Sequence, residues 1–408
     1  MDNFHHTGSF SYSRDNEEIN RWLKVNGFLY DPFAELDAST DPYLHQYIVQ
    51  HTAMDALWGQ NHALIFEPKG GGKTALSVRT AQNCYVGQQR NRPFPISYLP
   101  PFLNWGGATP LPEEHLQAIL TSAMKQLLIS IVYRPHWFLE LNSNDQQLIR
   151  SFLERDLAGP LEGFLALVDV DPKQLSIFRK RLNISLPIRS TPAVSQVLTL
   201  RKQLASIAPQ TIAEDTVARW HLLRQILLSL FRFDSIYLLI DGLDAGPETA
   251  SDSQALIRSC DFIWRSLPNW EAEGIFVKAF LPAESTDALQ ADYAAECGRA
   301  KYVHIEWTED LLVEMLMRRI DAATQGQYSS FAAIATPDLM DVEQQIVKAA
   351  GKVSGSNLPR EVLSLLSHIL LAAARRSVEP ARLHYEDIET GIRTYKIEMS
   401  AHQSNQQE

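Results

Sequence analysis

The stretch Ala63-Leu64-Ile65-Phe66-Glu67-Pro68-Lys69-Gly70-Gly71-Gly72-Lys73-Thr74 joins a short apolar run to a glycine cluster and a Lys-Thr pair. Consecutive apolar residues closed by Glu-Pro predict a strand buried on both faces. Residues 75–86, which follow, predict a helix. Strand, glycine loop and helix is the order needed to wrap a phosphate. Glycine lets the backbone curl close to an anion and turn several N–H groups inward, while the following helix points its positive end at the charge. On this basis Pro68, Lys69, Gly70, Gly71, Gly72, Lys73, Thr74 and Ala75 are expected to meet a nucleotide. Lys73 would reach the β and γ phosphates, and the Thr74 hydroxyl would face Mg²⁺, a hard cation that takes oxygen ligands.

The segment matches the closing G-K-[ST] of a phosphate loop, with Glu67 standing where the usual pattern has its first glycine. G-K-[ST] alone arises by chance about once in several chains of this length, and two further glycines lower that by roughly 200-fold. A second element is Ile236-Tyr237-Leu238-Leu239-Ile240-Asp241-Gly242-Leu243-Asp244. It predicts a buried strand that delivers Asp241 at its carboxyl end, where parallel sheets place their ligand groups. Asp241 is the expected Mg²⁺ partner. Asp244 is the candidate to orient or deprotonate a water, its other reading being a turn residue after Asp-Gly.

Outward from these motifs, residues 95–99, 275–281 and 302–307 predict further strands. Helical patterns cover 43–58, 113–131, 145–157, 161–167, 172–182, 194–207 and 215–230. After Thr308 they dominate: one helix follows Glu309 and Asp310, another spans 342–350, and a third opens at Pro359. The expected class is α/β, a three-layer αβα core around a parallel sheet. A lead-in over 1–60 packs on the core at 61–307, which holds a helical insertion at about 110–210. A helical lid follows at 308–400, with a frayed tail at 401–408.

The two nucleotide motifs, with Gly355-Ser356-Asn357-Leu358-Pro359-Arg360 in the lid, resemble the STAND and NACHT branch of AAA-related P-loop ATPases. The likeness covers roughly residues 63–369 in order of elements, and only the nucleotide motifs are specific. It implies ATP and Mg²⁺ as cofactors, a nucleotide-controlled switch and assembly into oligomers. By family analogy it also implies signalling of the kind used in antiviral defence. Arg360 resembles the lid arginine that senses a γ phosphate, its other reading being an arginine facing solvent or a carboxylate. Ala245 stands where that branch often has a glutamate after Asp244, which points to slow hydrolysis. Lys278 is either a first sensor or a solvent-facing lysine, the second being favoured. Arg258, Arg265, Arg318 and Arg319 are unranked candidates for a finger reaching a neighbouring subunit. With no effector domain after the lid, the output is expected in a separately encoded partner. Two other readings are a nucleic-acid loader and a scaffold that binds ATP without turning it over.

Composition narrows these choices. A net charge of -11 gives no general attraction to nucleic acid. The cysteines, Cys84, Cys260 and Cys297, form neither a disulfide framework nor a zinc pattern and suit a reducing cytoplasm. Residues 1–20 lack the apolar stretch of a signal peptide, and the best membrane candidate, 222–240, is broken by Arg224, Arg232 and Asp234. His5, His6, His45 and His51 lack ligand spacing, and no serine-nucleophile motif is present.

Overall fold

The computed structural model describes residues 9–85, 92–98, 109–166, 194–246, 249–376 and 381–405; the helix expected at 172–182 lies outside them, as do His5 and His6. The chain divides into two compact units, one of Thr52–Pro68 with Leu76–Ile305, the other of Met1–His51, Lys69–Ala75 and Glu306–Glu408.

The first unit is α/β and built on a five-stranded, all-parallel sheet. Its strands are β1 (Ala63–Phe66), β2 (Phe94–Tyr98), β3 (Ile236–Ile240), β4 (Ile275–Leu281) and β5 (Lys301–His304), in the spatial order β2-β3-β4-β1-β5. Every residue of β1, β3 and β4 is buried, so both faces of the sheet are covered, and each buried Leu, Ile or Phe contributes about 1.5–3 kcal/mol. β5 is an edge strand with exposed ends. It begins at Lys301 and stops at His304, shorter than the expected 302–307.

Around the sheet stand the helices Lys73–Tyr85, Pro112–Tyr133, Asp261–Ala272 and Thr286–Cys297. The helices Ser143–Asp156, Val194–Ser206 and Thr216–Gln225 extend the same apolar core. Side chains start several of them: Asn142 accepts from the Asp145 amide at 3.0 Å, and Asp215 from the Ala218 amide at 2.6 Å. The segment expected as one helix at 215–230 changes to a π-helical turn at Ile226–Leu230, where the Phe231 amide donates to Ile226 O at 2.9 Å. Among the described residues Pro112–Tyr133 is the one helix long and apolar enough to cross a membrane, and 67% of its most apolar stretch is buried within the protein.

The second unit is helical. Glu309–Ala323, Val342–Ser354, Pro359–Arg376 and Tyr385–Asn405 share one apolar cluster with Ile19, Trp22 and Leu23 of the helix Ser9–Val25. Of the lead-in expected over 1–60, the part up to His51 groups with the helices after Glu306, while the part from Thr52 groups with the sheet. Arg319 fixes part of it: it is buried, donates to Pro32 O, lies 3.8 Å from Asp41 Oδ2 and covers the Tyr47 ring at 4.2 Å. The helix expected across 43–58 is two short ones, Leu44–Tyr47 and Ala53–Leu57. Between them Ile48 is extended, and the β-branched Val49 turns into the lid cluster.

The last helix runs to Asn405, through part of the tail expected to fray. It meets Pro359–Arg376 at Gly391, where an added Cβ would stand 2.5 Å from Ile369 Cγ1 and 2.8 Å from its backbone N and Cα. Backbone cannot swing aside as a side chain tip does. Gly391→Ala is therefore expected to destabilise this unit by about 1–3 kcal/mol in urea unfolding, as an overpacked contact does. An unchanged midpoint would contradict the packing described.

Candidate phosphate-binding loop

β1 and β4 are adjacent, yet their connections leave in opposite directions: the chain from β1 crosses to β2, and the chain from β4 passes β1 to reach β5. A topological switch point therefore falls at their carboxyl ends, where open parallel sheets hold ligands. Glu67 continues the ladder one residue beyond β1: its amide donates to Leu281 O at 3.0 Å, and its carbonyl accepts from Ala283 N at 3.2 Å. This accounts for a glutamate where the usual motif has glycine, because the backbone here is still strand-like and turns only afterwards.

The turn is made by glycines. Gly70 and Gly72 have φ of +94° and +96°, a region that favours glycine, whereas Gly71 does not share it. The helix then begins at Lys73, as its first four amides, which have no intrahelical acceptor, face back along the loop. Pro68 and Lys69 are exposed, Thr74 and Ala75 half-buried, and Lys73 is 8% exposed.

Within the helical unit, the segment Lys69–Ala75 is held by lid residues. The Arg360 amide, in the first turn of Pro359–Arg376, donates to Gly70 O at 3.3 Å, and a Cβ on Gly70 would come within 3.0 Å of Arg360 Cβ. Pro359 and Arg360 are presented by the turn after Val342–Ser354, which closes with Gly355 at φ +76°. Trp307 supplies the second hold, its Nε1–H donating to Gly71 O at 2.8 Å. Sequence reading missed that role, placing Trp307 in a strand. The one available signal was an indole donor directly before Thr308, whose hydroxyl caps the next helix through Leu311 N at 3.2 Å.

Asp241 follows the last residue of β3 and is half-buried. The registers Ile240↔Ala279 and Ile65↔Phe280 bring Asp241 level with Phe280 and Ile65. β4 lies between, so two strand spacings, about 10 Å, separate β3 from β1. Gly242 has φ +76°, and Asp244, half-buried, stands in the short 3₁₀ turn Leu243–Ala245. Thr249 closes that turn by donating to Leu243 O at 2.5 Å. Ala245 is exposed.

Comparison with protein-family models, with curated proteins and with solved structures finds no match.

Other candidates have structural roles. Lys278 is fully buried, correcting the solvent-facing expectation, and it points away from the carboxyl edge: Nζ donates to Gly59 O at 3.2 Å and Asn61 O at 2.5 Å and sits 4.5 Å from the Tyr237 ring centre. It secures the chain ahead of β1 and cannot sense a ligand at the strands' other end. Beside it His62 accepts from Val277 N at 3.0 Å, so its Nε2–H donates to Leu267 O at 3.0 Å. Burial lowers its pKa and favours that neutral form. Among the arginines, Arg319 is committed to the lead-in. Arg265 pairs with Asp261 at 2.8 Å, and Arg318 pairs with Glu314 at 2.6 Å and reaches Ile48 O. Arg258 is exposed at the end of Ser253–Arg258.

Burial, with the Lys301 charge second, pushes the Lys278 amine from its ordinary 10.5 down to about 7. Between those values the unfolded chain holds a proton that the folded chain has shed, so this group makes the fold more stable as pH rises through the window, and its penalty is complete below it. Urea titrations are expected to show the wild type gaining stability relative to Lys278→Met, by on the order of a few kcal/mol, between about pH 7 and 10. A pH-independent difference would contradict this placement.

Proposed function

We propose that this chain is a P-loop ATPase of the STAND/NACHT-like kind, a three-layer αβα core with a helical lid, which binds ATP on residues 68–75 and acts as a nucleotide-dependent switch. The observation that carries the reading is the glycine loop. It leaves a buried parallel strand at a topological switch point, turns at Gly70 and Gly72 with positive φ, and enters a helix at Lys73. No other described segment combines these features.

The available groups suit a magnesium nucleotide. Mg²⁺ needs hard oxygen donors, and the hydroxyl of Thr74 and carboxylate of Asp241 are of that type. Bound Mg²⁺·ATP would supply the labile phosphoanhydride bond and the charge that the metal partly neutralises. Loop amides and the first turn of the helix would then hold the phosphate oxygens, while Lys73 places its ammonium against the β and γ phosphates. Asp244 would hold a water by accepting its proton in a hydrogen bond. Arg360, with its backbone already on Gly70 O, has a guanidinium long enough to search the loop for a γ phosphate.

Ala245 brings no carboxylate next to Asp244, which favours slow turnover and a long-lived ATP-bound state. A switch works that way when its two lid states bind the γ phosphate unequally. Such a protein would act on further copies of itself or on a separately encoded effector, in the cytoplasm. The net charge of -11 gives nucleic acid no comparable support.

Calorimetry with Mg²⁺·ATP at up to millimolar concentration tests the site. Wild type is expected to bind, Lys73→Ala to bind at least about tenfold more weakly, and Asp241→Ala to lose the Mg²⁺ dependence. Phosphate release should be slow in wild type and slower in Asp244→Ala at unchanged ATP affinity. Absence of binding by the wild type would falsify the proposal, and binding with no phosphate release would leave a nucleotide-held scaffold.

A further inference from the structure

We infer that Trp307 is a positioning residue that sets the polarity of the glycine loop for a polyphosphate. The inference rests on the nucleotide site proposed above and adds to it a residue that touches no part of the nucleotide.

A trans peptide holds its C=O and the next residue's N–H antiparallel. Whatever grips a carbonyl therefore also aims the following amide, in the opposite sense. Two successive peptides of this loop are gripped in this way. The Gly70 carbonyl is held by the Arg360 amide at 3.3 Å, which turns the Gly71 N–H away from Arg360. The Gly71 carbonyl is held by the indole Nε1–H of Trp307 at 2.8 Å, which turns the Gly72 N–H away from the indole. φ is positive at Gly70 and Gly72 but not at Gly71, and an alternation of this kind is found in backbone concavities that accept anions.

The Gly71–Gly72 peptide needs such a hold. With glycine on both sides no Cβ resists its rotation, so a free plane would sample the flipped state and offer a carbonyl, rather than an amide, to the phosphate. The indole is itself fixed. Its ring lies 5.9 Å from the His51 ring, and His51 Nε2 bonds the carbonyl of the preceding Glu306 at 2.9 Å. Its Cζ2 packs 3.5 Å from where a Gly72 Cβ would stand. All of these groups belong to the helical unit.

The effect should fall on the phosphate chain and spare the base. Two substitutions remove the donor: Trp307→Phe, and replacement by benzothienylalanine, which keeps the indole's size and swaps N–H for sulfur. Binding of Mg²⁺·ATP, Mg²⁺·ADP, inorganic triphosphate and adenosine is measured by calorimetry, with thermal melting alongside. Both variants are expected to weaken the three polyphosphates about five- to tenfold alike, leave adenosine unchanged and melt close to wild type. If the benzothienyl protein binds polyphosphates as wild type does, shape alone matters and the inference is overturned. It is equally overturned if adenosine weakens in step with ATP. A wild type that binds none of these ligands removes the nucleotide site itself and the inference with it, whereas binding by wild type with both variants unaffected removes the inference alone.

Discussion

A parallel sheet sends the carboxyl end of every strand to the same edge, and in this protein that constraint decides where the loops that leave the strands gather. β1, β3 and β4 are buried throughout, so each must leave the core through a loop at that edge, and loops there carry the glycines and carboxylates that the strands cannot. Adjacent β1 and β4 send their connections in opposite directions, β1 toward β2 and β4 toward β5. Polar residues at the opposite edge, Lys278 and His62, are absorbed into backbone hydrogen bonds and hold the sheet's start in place.

The second organising feature is that Lys69–Ala75 clusters with the lid helices. Its carbonyls do not wait for a ligand; those of Gly70 and Gly71 are already satisfied by Arg360 and Trp307, each bond worth on the order of 1 kcal/mol. A loop ordered in advance would lose less entropy on taking up a ligand. This gives a physical route by which a nucleotide and the lid would influence one another, since a change at the loop must be matched by changes at residues 307 and 360.

Legibility in the sequence followed the strength of local signals. The strands 63–66, 236–240 and 275–281 coincide with the observed ones, because unbroken apolar runs bounded by Gly, Pro or Asp leave few alternatives. Helices with broad apolar stripes, such as Pro112–Tyr133 and Pro359–Arg376, were equally plain. Ser9–Val25 was missed since its described buried face rests on Ile19, Trp22 and Leu23 alone, and Tyr385–Asn405 since Gly391, which looks like a helix breaker, serves as its point of closest approach. The positions of the glycine loop after β1 and of Asp241 after β3 could be read from residue type. The role of Trp307 and the burial of Lys278 could not, because both depend on partners more than 200 positions away. Strand order, which puts β4 between β1 and β3, likewise has no local signal.

The central claim is that the amides after Phe66 receive the phosphates of ATP. Its most direct measurement is a crystal structure of the protein with Mg²⁺ and a non-hydrolysable ATP analogue. The expected result is triphosphate density on residues 70–74, with Mg²⁺ bound near the Thr74 hydroxyl and the Asp241 carboxylate. Nucleotide density elsewhere on the chain, with the glycine loop unchanged and empty at saturating analogue, would contradict it.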